Sequence, residues 1–271
     1  MSVLETRSVS IRFGGVQAAH DVSISIDEWE IVGIIGPNGA GKTTTFNIIT
    51  GFYRPNSGTV WFRGNEITGL GVHERTALGM GRTFQNVGLV KGATVRDNLV
   101  TAQYLRADYP TLSGVLGAPN TFSTERQLRA RADLIAEVLG LADLLDTQVA
   151  GLPYGVLKWV EIATVLATDP DVLLLDEPSS GMGPEEAHQL GDTLLELRQM
   201  FGLSIAMIEH HVPLVVRVCD YVYCLNFGEM LAEGKPEEVR NHPEVVTAYL
   251  GEDADPDAAA LESQLESLVE D

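Results

Sequence analysis

The stretch that most constrains this chain is Gly36-Pro37-Asn38-Gly39-Ala40-Gly41-Lys42-Thr43-Thr44, which follows directly on the apolar run Ile31-Val32-Gly33-Ile34-Ile35. Its spacing, G-x-x-x-x-G-K-[ST], is that of a glycine-rich turn. Backbone N–H groups in such a turn converge on a polyphosphate at the positive end of the following helix. In that pattern Lys42 supplies a point charge for the β- and γ-phosphates, and Thr43 offers its hydroxyl to Mg²⁺. The loop needs a buried strand before it and a helix after it. The apolar run predicts the strand, and Lys42 to Thr50 predicts the helix, stopped by Gly51.

A chain of 271 residues holds one large α/β domain or two smaller ones, and either buries a sizeable core. The formal net charge is −20 and there are only four lysines, with no local basic patch, which disfavours binding to nucleic acid phosphates. The acidity itself reads as a solubility or high-salt adaptation. Cys219 and Cys224 share one short strand-like stretch outside any C-x-x-C pair and read as reduced, buried small hydrophobes. The first residues, Met1 to Arg7, lack the basic and apolar regions of a signal peptide. No apolar run approaches the ~18 residues that span a bilayer. Any role at a membrane is therefore expected to go through a partner.

Around the loop, Val9-Ser10-Ile11-Arg12 and Val22-Ser23-Ile24-Ser25-Ile26 alternate as strands across a Gly14-Gly15 turn, and Thr59-Val60-Trp61-Phe62 adds another. These predict an antiparallel β layer around the loop. From about residue 87 to 168 the pattern turns helical, with Leu128, Arg131, Leu134, Ile135, Val138 and Leu139 on one face. The breaker-rich stretch from Tyr109 to Asn120 reads as a loop inside this helical subdomain. The fully apolar Val172-Leu173-Leu174-Leu175 ending in Asp176 predicts a central parallel strand. A helix from Glu185 to Phe201 and a second buried strand, Ser204 to Ile208, then imply right-handed crossovers in a mostly parallel sheet. Tyr221 to Leu225 and Glu229 to Ala232 read as a hairpin. The segment 251–271 carries eight carboxylates and no basic residue, with Leu261, Leu265 and Leu268 at helical spacing; it reads as a solvated acidic tail or a weakly docked helix.

Asp176, at a strand end, is placed to hold Mg²⁺ through its water shell, and Glu177 beyond it to polarise an attacking water. His210, past the end of the second buried strand, has an imidazole that can hydrogen-bond a γ-phosphate, whereas His211 is expected to be exposed. Gln85 falls where the β layer gives way to the helical segment, within reach of a metal and the attacking water.

Gly36 to Thr44, Gln85, a signature-like Leu152-Pro153-Tyr154-Gly155, the Asp176-Glu177 strand end and His210 stand in one order, and the chain from Val3 to Gly251 resembles the ATP-binding subunits of ABC transporters. Arg12-Phe13-Gly14-Gly15, Gly51-Phe52-Tyr53-Arg54-Pro55, Gly81 to Asn86, Val160-Glu161-Ile162-Ala163, Ile208-Glu209-His210 and Ala248-Tyr249-Leu250-Gly251 are similar to the branched-chain amino acid import subunits, as is the insertion around Tyr109 to Asn120. Exporters of lipopolysaccharide share several of these segments.

The resemblance implies an α/β fold: a P-loop NTPase core with a mostly parallel sheet, an antiparallel β layer and a helical subdomain, in one domain over 1–251 with a tail at 252–271. It implies ATP and Mg²⁺ as ligands, with Phe13 stacking on adenine, Gln85 linking the site to a membrane subunit and His210 sensing the γ-phosphate. It further implies integral membrane permease partners, a place on the cytoplasmic face of the membrane, and a dimer with two ATP molecules, each held between one loop and the opposite signature. The alternative functions are a nucleotide-dependent regulatory subunit with slow turnover and an ABC export ATPase of the lipopolysaccharide type. A stand-alone ATPase of DNA repair or translation lacks support, because the chain has neither a long coiled-coil insertion nor a second cassette.

Two segments depart from the resemblance. Gly155 is followed by Val156-Leu157-Lys158-Trp159 where relatives carry polar and basic residues, and Trp159 and Val160 fit a core face equally well. Gly183 stands where relatives carry Asp or Asn. Both weaken what the chain gives to a partner's site while leaving its own Lys42, Thr43, Asp176, Glu177 and His210 intact. That imbalance predicts an asymmetric heterodimer with a sister ATPase subunit, a homodimer being the alternative.

Overall fold

The computed structural model describes residues 1–83, 88–104 and 119–250. Gln85, most of the breaker-rich stretch that begins at Tyr109, and the acidic tail lie outside them. In chain order the elements are β1 (Ser2–Phe13), β2 (Val16–Asp27), β3 (Ile31–Ile35), α1 (Lys42–Ile49), β4 (Ser57–Phe62) and β5 (Asn65–Glu66). Then come α2 (Val72–Leu78), β6 (Met80–Arg82), α3 (Val95–Gln103), α4 (Pro119–Val138), α5 (Tyr154–Ala167), β7 (Val172–Asp176) and α6 (Pro184–Phe201). The chain closes with β8 (Ser204–Ile208), α7 (Val212–Val218), β9 (Tyr221–Asn226), β10 (Glu229–Gly234), α8 (Pro236–Arg240) and α9 (Pro243–Leu250). Two compact units result: Met1–Gly69 with the chain from Met207 onward, and Leu70–Ala206.

In the first unit β2-β1-β4-β5 form an antiparallel sheet. Strand β2 shows why: Val22, Ile24 and Ile26 are buried while Ser23 and Ser25 between them are exposed, a period of two with one dry face. Strand β3 is buried at all five positions and pairs in parallel with β9, from Val32 opposite Tyr221 to Ile35 opposite Cys224. A strand covered on both faces carries no alternation, which is why this one reads as a continuous apolar run. Phe46, Ile48 and Ile49 of α1 are fully buried. β9 returns as β10 through Phe227 and Gly228, both left-handed (φ 48° and 81°), the backbone that a two-residue hairpin turn requires.

In the second unit β6 and β7 pair in parallel, Met80 opposite Val172 and Arg82 opposite Leu174. Gly81 lets this edge close, because a Cβ there would come within 2.6 Å of Val165 Cγ1. Helices α3, α4 and α5 pack on one another. α6 buries Ala187, Leu190, Gly191, Leu194 and Leu197, a 3.6-residue stripe. Its start is fixed by Pro184 and by the Gly183 N–H, which donates to the Glu186 carboxylate at 2.9 Å.

Several expectations shift. Breaker content predicts a loop through Asn120, yet α4 begins at Pro119; proline suits a first helical turn, where its missing N–H has no partner to lose. The buried face of α4 runs through Ala132, Ile135, Ala136 and Leu139, and Leu134 is exposed. Cys219 caps the end of α7, and only Cys224 is in a strand; both thiols are buried and free, and burial pushes Cys224 up to about 12. No helix among the described residues is long and apolar enough to cross a membrane.

Gly58 (φ 82°) and Gly64 (φ 74°) offer a matched test of the antiparallel layer. A Cβ at Gly58 would sit 2.3 Å from the Ser8 carbonyl oxygen, whereas one at Gly64 meets nothing within 4 Å. Gly64→Ala is expected to cost about 1 kcal/mol for the left-handed backbone alone. Gly58→Ala is expected to cost at least ~2 kcal/mol more in urea unfolding, because the backbone it strikes has nowhere to go.

Candidate functional site

The glycine-rich loop lies in the first unit, between the buried end of β3 and the start of α1. Gly36 is left-handed in φ (141°), and a Cβ there would lie 2.0 Å from the Leu225 carbonyl oxygen, so no other residue fits. Gly41 (φ 96°) is equally confined, with Ala18 O 2.5 Å and Gly228 Cα 3.2 Å from the Cβ it lacks. The Gly228 N–H donates to Ala40 O at 3.0 Å, and Ala40 N–H closes a turn onto Pro37 O at 3.1 Å. Strand β2 and the β9–β10 hairpin thus brace the loop from outside while leaving its mouth open. Asn38, Gly39 and Thr43 are exposed and Thr44 is half-buried.

Beneath that mouth Lys42 is only 6% exposed, and its ammonium donates to Gly36 O and to Pro37 O, the latter at 2.8 Å. Nothing lies within 4 Å of where a Gly39 side chain would be. Among the described residues, no protein group accepts from the N–H groups of Gly39, Gly41, Thr43 and Thr44. Donors gathered at a helix N-terminus beside a desolvated ammonium fit a polyphosphate, whose charge would answer both.

Phe13 ends β1 at 45% exposure, with its ring edge-on to Tyr53 at 5.0 Å and 66°. A ring held from one side and open on the rest can stack on a base. His210 stands just past β8 and is half-buried. Glu209, 2% exposed, donates its N–H to Ile34 O at 3.4 Å, and its carboxylate accepts the N–H groups of His210 (3.0 Å) and His211 (3.3 Å). His210 is thereby fixed at a strand end beside β3. His211, expected at the surface, is half-buried with Nδ1 enclosed.

In the second unit Asp176 closes β7. Its Oδ2 accepts from Arg82 Nη2 at 2.8 Å, and its N–H donates to Thr83 Oγ1 at 3.3 Å. The pair is dry, with side-chain exposures of 7% for Arg82 and 2% for Asp176. Among the described residues Oδ1, also buried, has no hydrogen-bond partner. A buried carboxylate oxygen left unmatched is what a hydrated cation would satisfy. Among the described residues no three His, Cys, Asp or Glu side chains cluster as a metal site. The enclosed Oδ1 is a donor of the kind Mg²⁺ takes, since that ion binds through one or two carboxylates and substrate phosphates.

Glu177 takes a left-handed backbone (φ 49°) that turns the chain sharply off the strand. Lys158 of α5 holds that turn by donating Nζ to the carbonyls of Glu177 (3.1 Å), Pro178 (3.3 Å) and Ser180 (2.5 Å). Of the signature-like residues, Pro153 precedes α5, Tyr154 begins it at 56% exposure, Gly155 is exposed and Leu152 is half-buried. Val156, Leu157 and Trp159 are half-buried, and Val160 is wholly buried, on the core face.

The structure thus gathers Gly36 to Thr44 into one braced loop and puts Asp176 and Glu177 at a single strand end; Gln85 lies outside the described residues. Tyr53, Arg82, Thr83, Lys158 and Glu209 lie in segments the sequence singles out, yet nothing in those segments assigns them a role at the site. Glu209 alone leaves a local signal, a carboxylate closing an apolar run.

A phosphate-binding loop between a buried parallel strand and a helix, with a second buried strand ending in Asp-Glu, defines a P-loop nucleotide-binding protein. Residues 19–180 match the ABC transporter family, and 229–255 match the branched-chain amino acid ATP-binding cassette transporter family. The chain is 41% identical over 250 residues to the high-affinity branched-chain amino acid transport ATP-binding protein LivG of Salmonella typhimurium, covering 92% of this chain and 98% of that one. It is 38% identical over 250 residues to BraF of Pseudomonas aeruginosa, described in the same words, again covering 92% of this chain and 98% of that one. A crystal structure of a nucleotide-free ATP-binding cassette from an ABC transporter superimposes with a TM-score of 0.80 at 33% identity, over 92% of this chain and 99% of that one. The ADP conformation of MJ1267, an ATP-binding cassette of an ABC transporter, gives 0.80 at 32%, over 93% and 99%. The chain belongs to the ABC transporter family, as an ATP-binding cassette.

Arg82→Ala would strand Asp176 as a buried, uncompensated charge and is expected to cost about 3–5 kcal/mol in urea unfolding. Adding Asp176→Asn to that variant removes the stranded charge and should recover most of the loss.

Proposed function

We propose that this chain binds and hydrolyses MgATP to power import of branched-chain amino acids, or a related small solute, through separate membrane permease subunits, from the cytoplasmic face of the membrane. The observation that carries this reading is the Lys42 ammonium, buried under an open loop mouth lined with unengaged backbone donors. The solute class rests on the names of the relatives and on the C-terminal match at 229–255.

In this reading Phe13 stacks on the adenine, and Gly36, Pro37, Asn38, Gly39, Ala40, Gly41 and Thr44 shape the cradle that takes the phosphates. Lys42 orients the β- and γ-phosphates. The Thr43 hydroxyl and Asp176 would hold Mg²⁺, with Gln85 as a further ligand, and the ion when bound neutralises charge on the phosphates. Glu177 orients the attacking water and takes its proton, and His210 hydrogen-bonds the γ-phosphate and reports its loss. Leu152, Pro153, Tyr154 and Gly155 serve the ATP of the opposite subunit.

Lys42→Ala is expected to weaken ATP binding at least ~10-fold, because the charge that meets the phosphates is gone. Glu177→Gln should retain ATP binding yet slow hydrolysis at least ~100-fold when permease subunits are present. Wild-type turnover as slow as that of Glu177→Gln would favour the regulatory reading over the import motor. Co-reconstitution with the permeases, followed by uptake of labelled leucine, addresses the solute.

The apolar run Val156-Leu157 and the unsubstituted Gly183 favour a heterodimer in which this chain's loop occupies the faster of two sites. Vanadate trapping of ADP in the mixed dimer should label this chain's loop in excess of its sister's; equal labelling would speak for symmetric sites.

A further inference from the structure

The C-terminal stretch Ala248-Tyr249-Leu250 lies outside the part of the chain that matches the general cassette, residues 19–180, and no role in ATP chemistry has fallen to it so far. The structure gives it one. The Gly36 N–H donates to the Tyr249 hydroxyl oxygen at 2.7 Å, across 213 residues of sequence. We propose that Tyr249 is a positioning residue of the nucleotide loop, holding the loop's first peptide so that the cradle stands formed before ATP arrives. The proposal rests on the reading of Gly36 to Thr44 as an ATP site.

The physical need comes from where β3 ends. Its last rung with β9 is Ile35 opposite Cys224, so Gly36 is the first residue past the ladder. Gly36 is buried, and a buried N–H without an acceptor is costly. Its backbone is also confined against Leu225 O, so the peptide has little freedom to turn toward a different acceptor without displacing the loop. The carbonyl of the same residue accepts from the Lys42 ammonium. One residue therefore couples the C-terminal helix on its N–H side to the phosphate-binding lysine on its C=O side.

The tyrosine is well seated for this. Helix α9 is anchored by Val245, 3% exposed, and packs on β10 and α8. β10 descends from the same hairpin whose Gly228 N–H holds Ala40 O. The segment from 228 onward thus holds the loop from two ends, through Gly228 at Ala40 and through Tyr249 at Gly36. Pre-forming a site before the ligand arrives removes an ordering cost that binding would otherwise meet.

Tyr249→Phe in the full-length chain keeps the ring and deletes the acceptor. A fluorescent ADP analogue with Mg²⁺ is expected to bind about tenfold more weakly. With permeases present the KM for ATP should rise by a similar factor while kcat stays within about twofold, because Tyr249 is proposed to shape the cradle and not to take part in the chemistry. Val245→Ala is the control: it loosens α9 and lowers Tm but keeps the hydroxyl, and its affinity should stay within about twofold of wild type. Unchanged affinity in Tyr249→Phe, or an equal loss in Val245→Ala, would overturn the proposal. Should Tyr249→Phe fail to fold, hydrogen exchange of the wild type decides. Protection of 243–250 together with 36–44 on adding MgADP supports the link, and protection of 36–44 alone overturns it. Failure of wild type to bind the analogue at all would instead sink the ATP reading itself.

Discussion

Everything at the nucleotide loop depends on one steric fact: the space where a side chain of Gly36 would go is filled by the Leu225 carbonyl oxygen at 2.0 Å. That contact exists because β3 stays paired with β9 to its last residue, Ile35 opposite Cys224, while β9 runs on through Leu225. The loop therefore departs from the sheet at a fixed point and in a fixed direction. Gly41 repeats the device five residues on, against Ala18 O of β2. Between these two pins the chain has little freedom to move. The cradle is thus a property of the surrounding sheet edges as much as of its own glycines.

The Asp176-Glu177 end uses a different strategy. The loop is shaped by exclusion, whereas Asp176 and Glu177 are held by attraction. Arg82 grips one oxygen of Asp176, and Lys158 draws three carbonyls of the following turn toward one ammonium. The left-handed Glu177 is the sharp corner that this grip sustains. Lys158 sits one turn beyond the signature-like residues, so the start of α5 also supports the corner at Glu177.

How much of this the sequence discloses depends on the range of each cause. The buried strands β3, β7 and β8 announce themselves as apolar runs, the loop by its spacing, and α6 by its stripe, because each is written in consecutive residues. The short helices α2 and α7, seven residues each, carry too few turns for periodicity to emerge, and α7 interrupts its apolar run with Pro213. Leu134 sits one position off the true face of α4, an error that a single helical stripe cannot expose until its neighbours are known. The contacts that position the chemistry are the least legible. Arg82 meets Asp176 across 94 residues and Gly36 meets Tyr249 across 213, and no local pattern encodes either meeting.

The division of labour between the two oxygens of Asp176 has a bearing on how the protein balances charge in its interior. Because Oδ2 is already neutralised by a buried guanidinium, the carboxylate has no need of a cation in order to be tolerated in the interior. Among the described residues only Oδ1 is left without a hydrogen-bond partner, and what it lacks is a hydrogen bond rather than a charge. The charge balance of this part of the interior is thereby complete within the chain itself. A newly made chain can close it with its own side chains, and whatever later meets Oδ1 meets an architecture already in place.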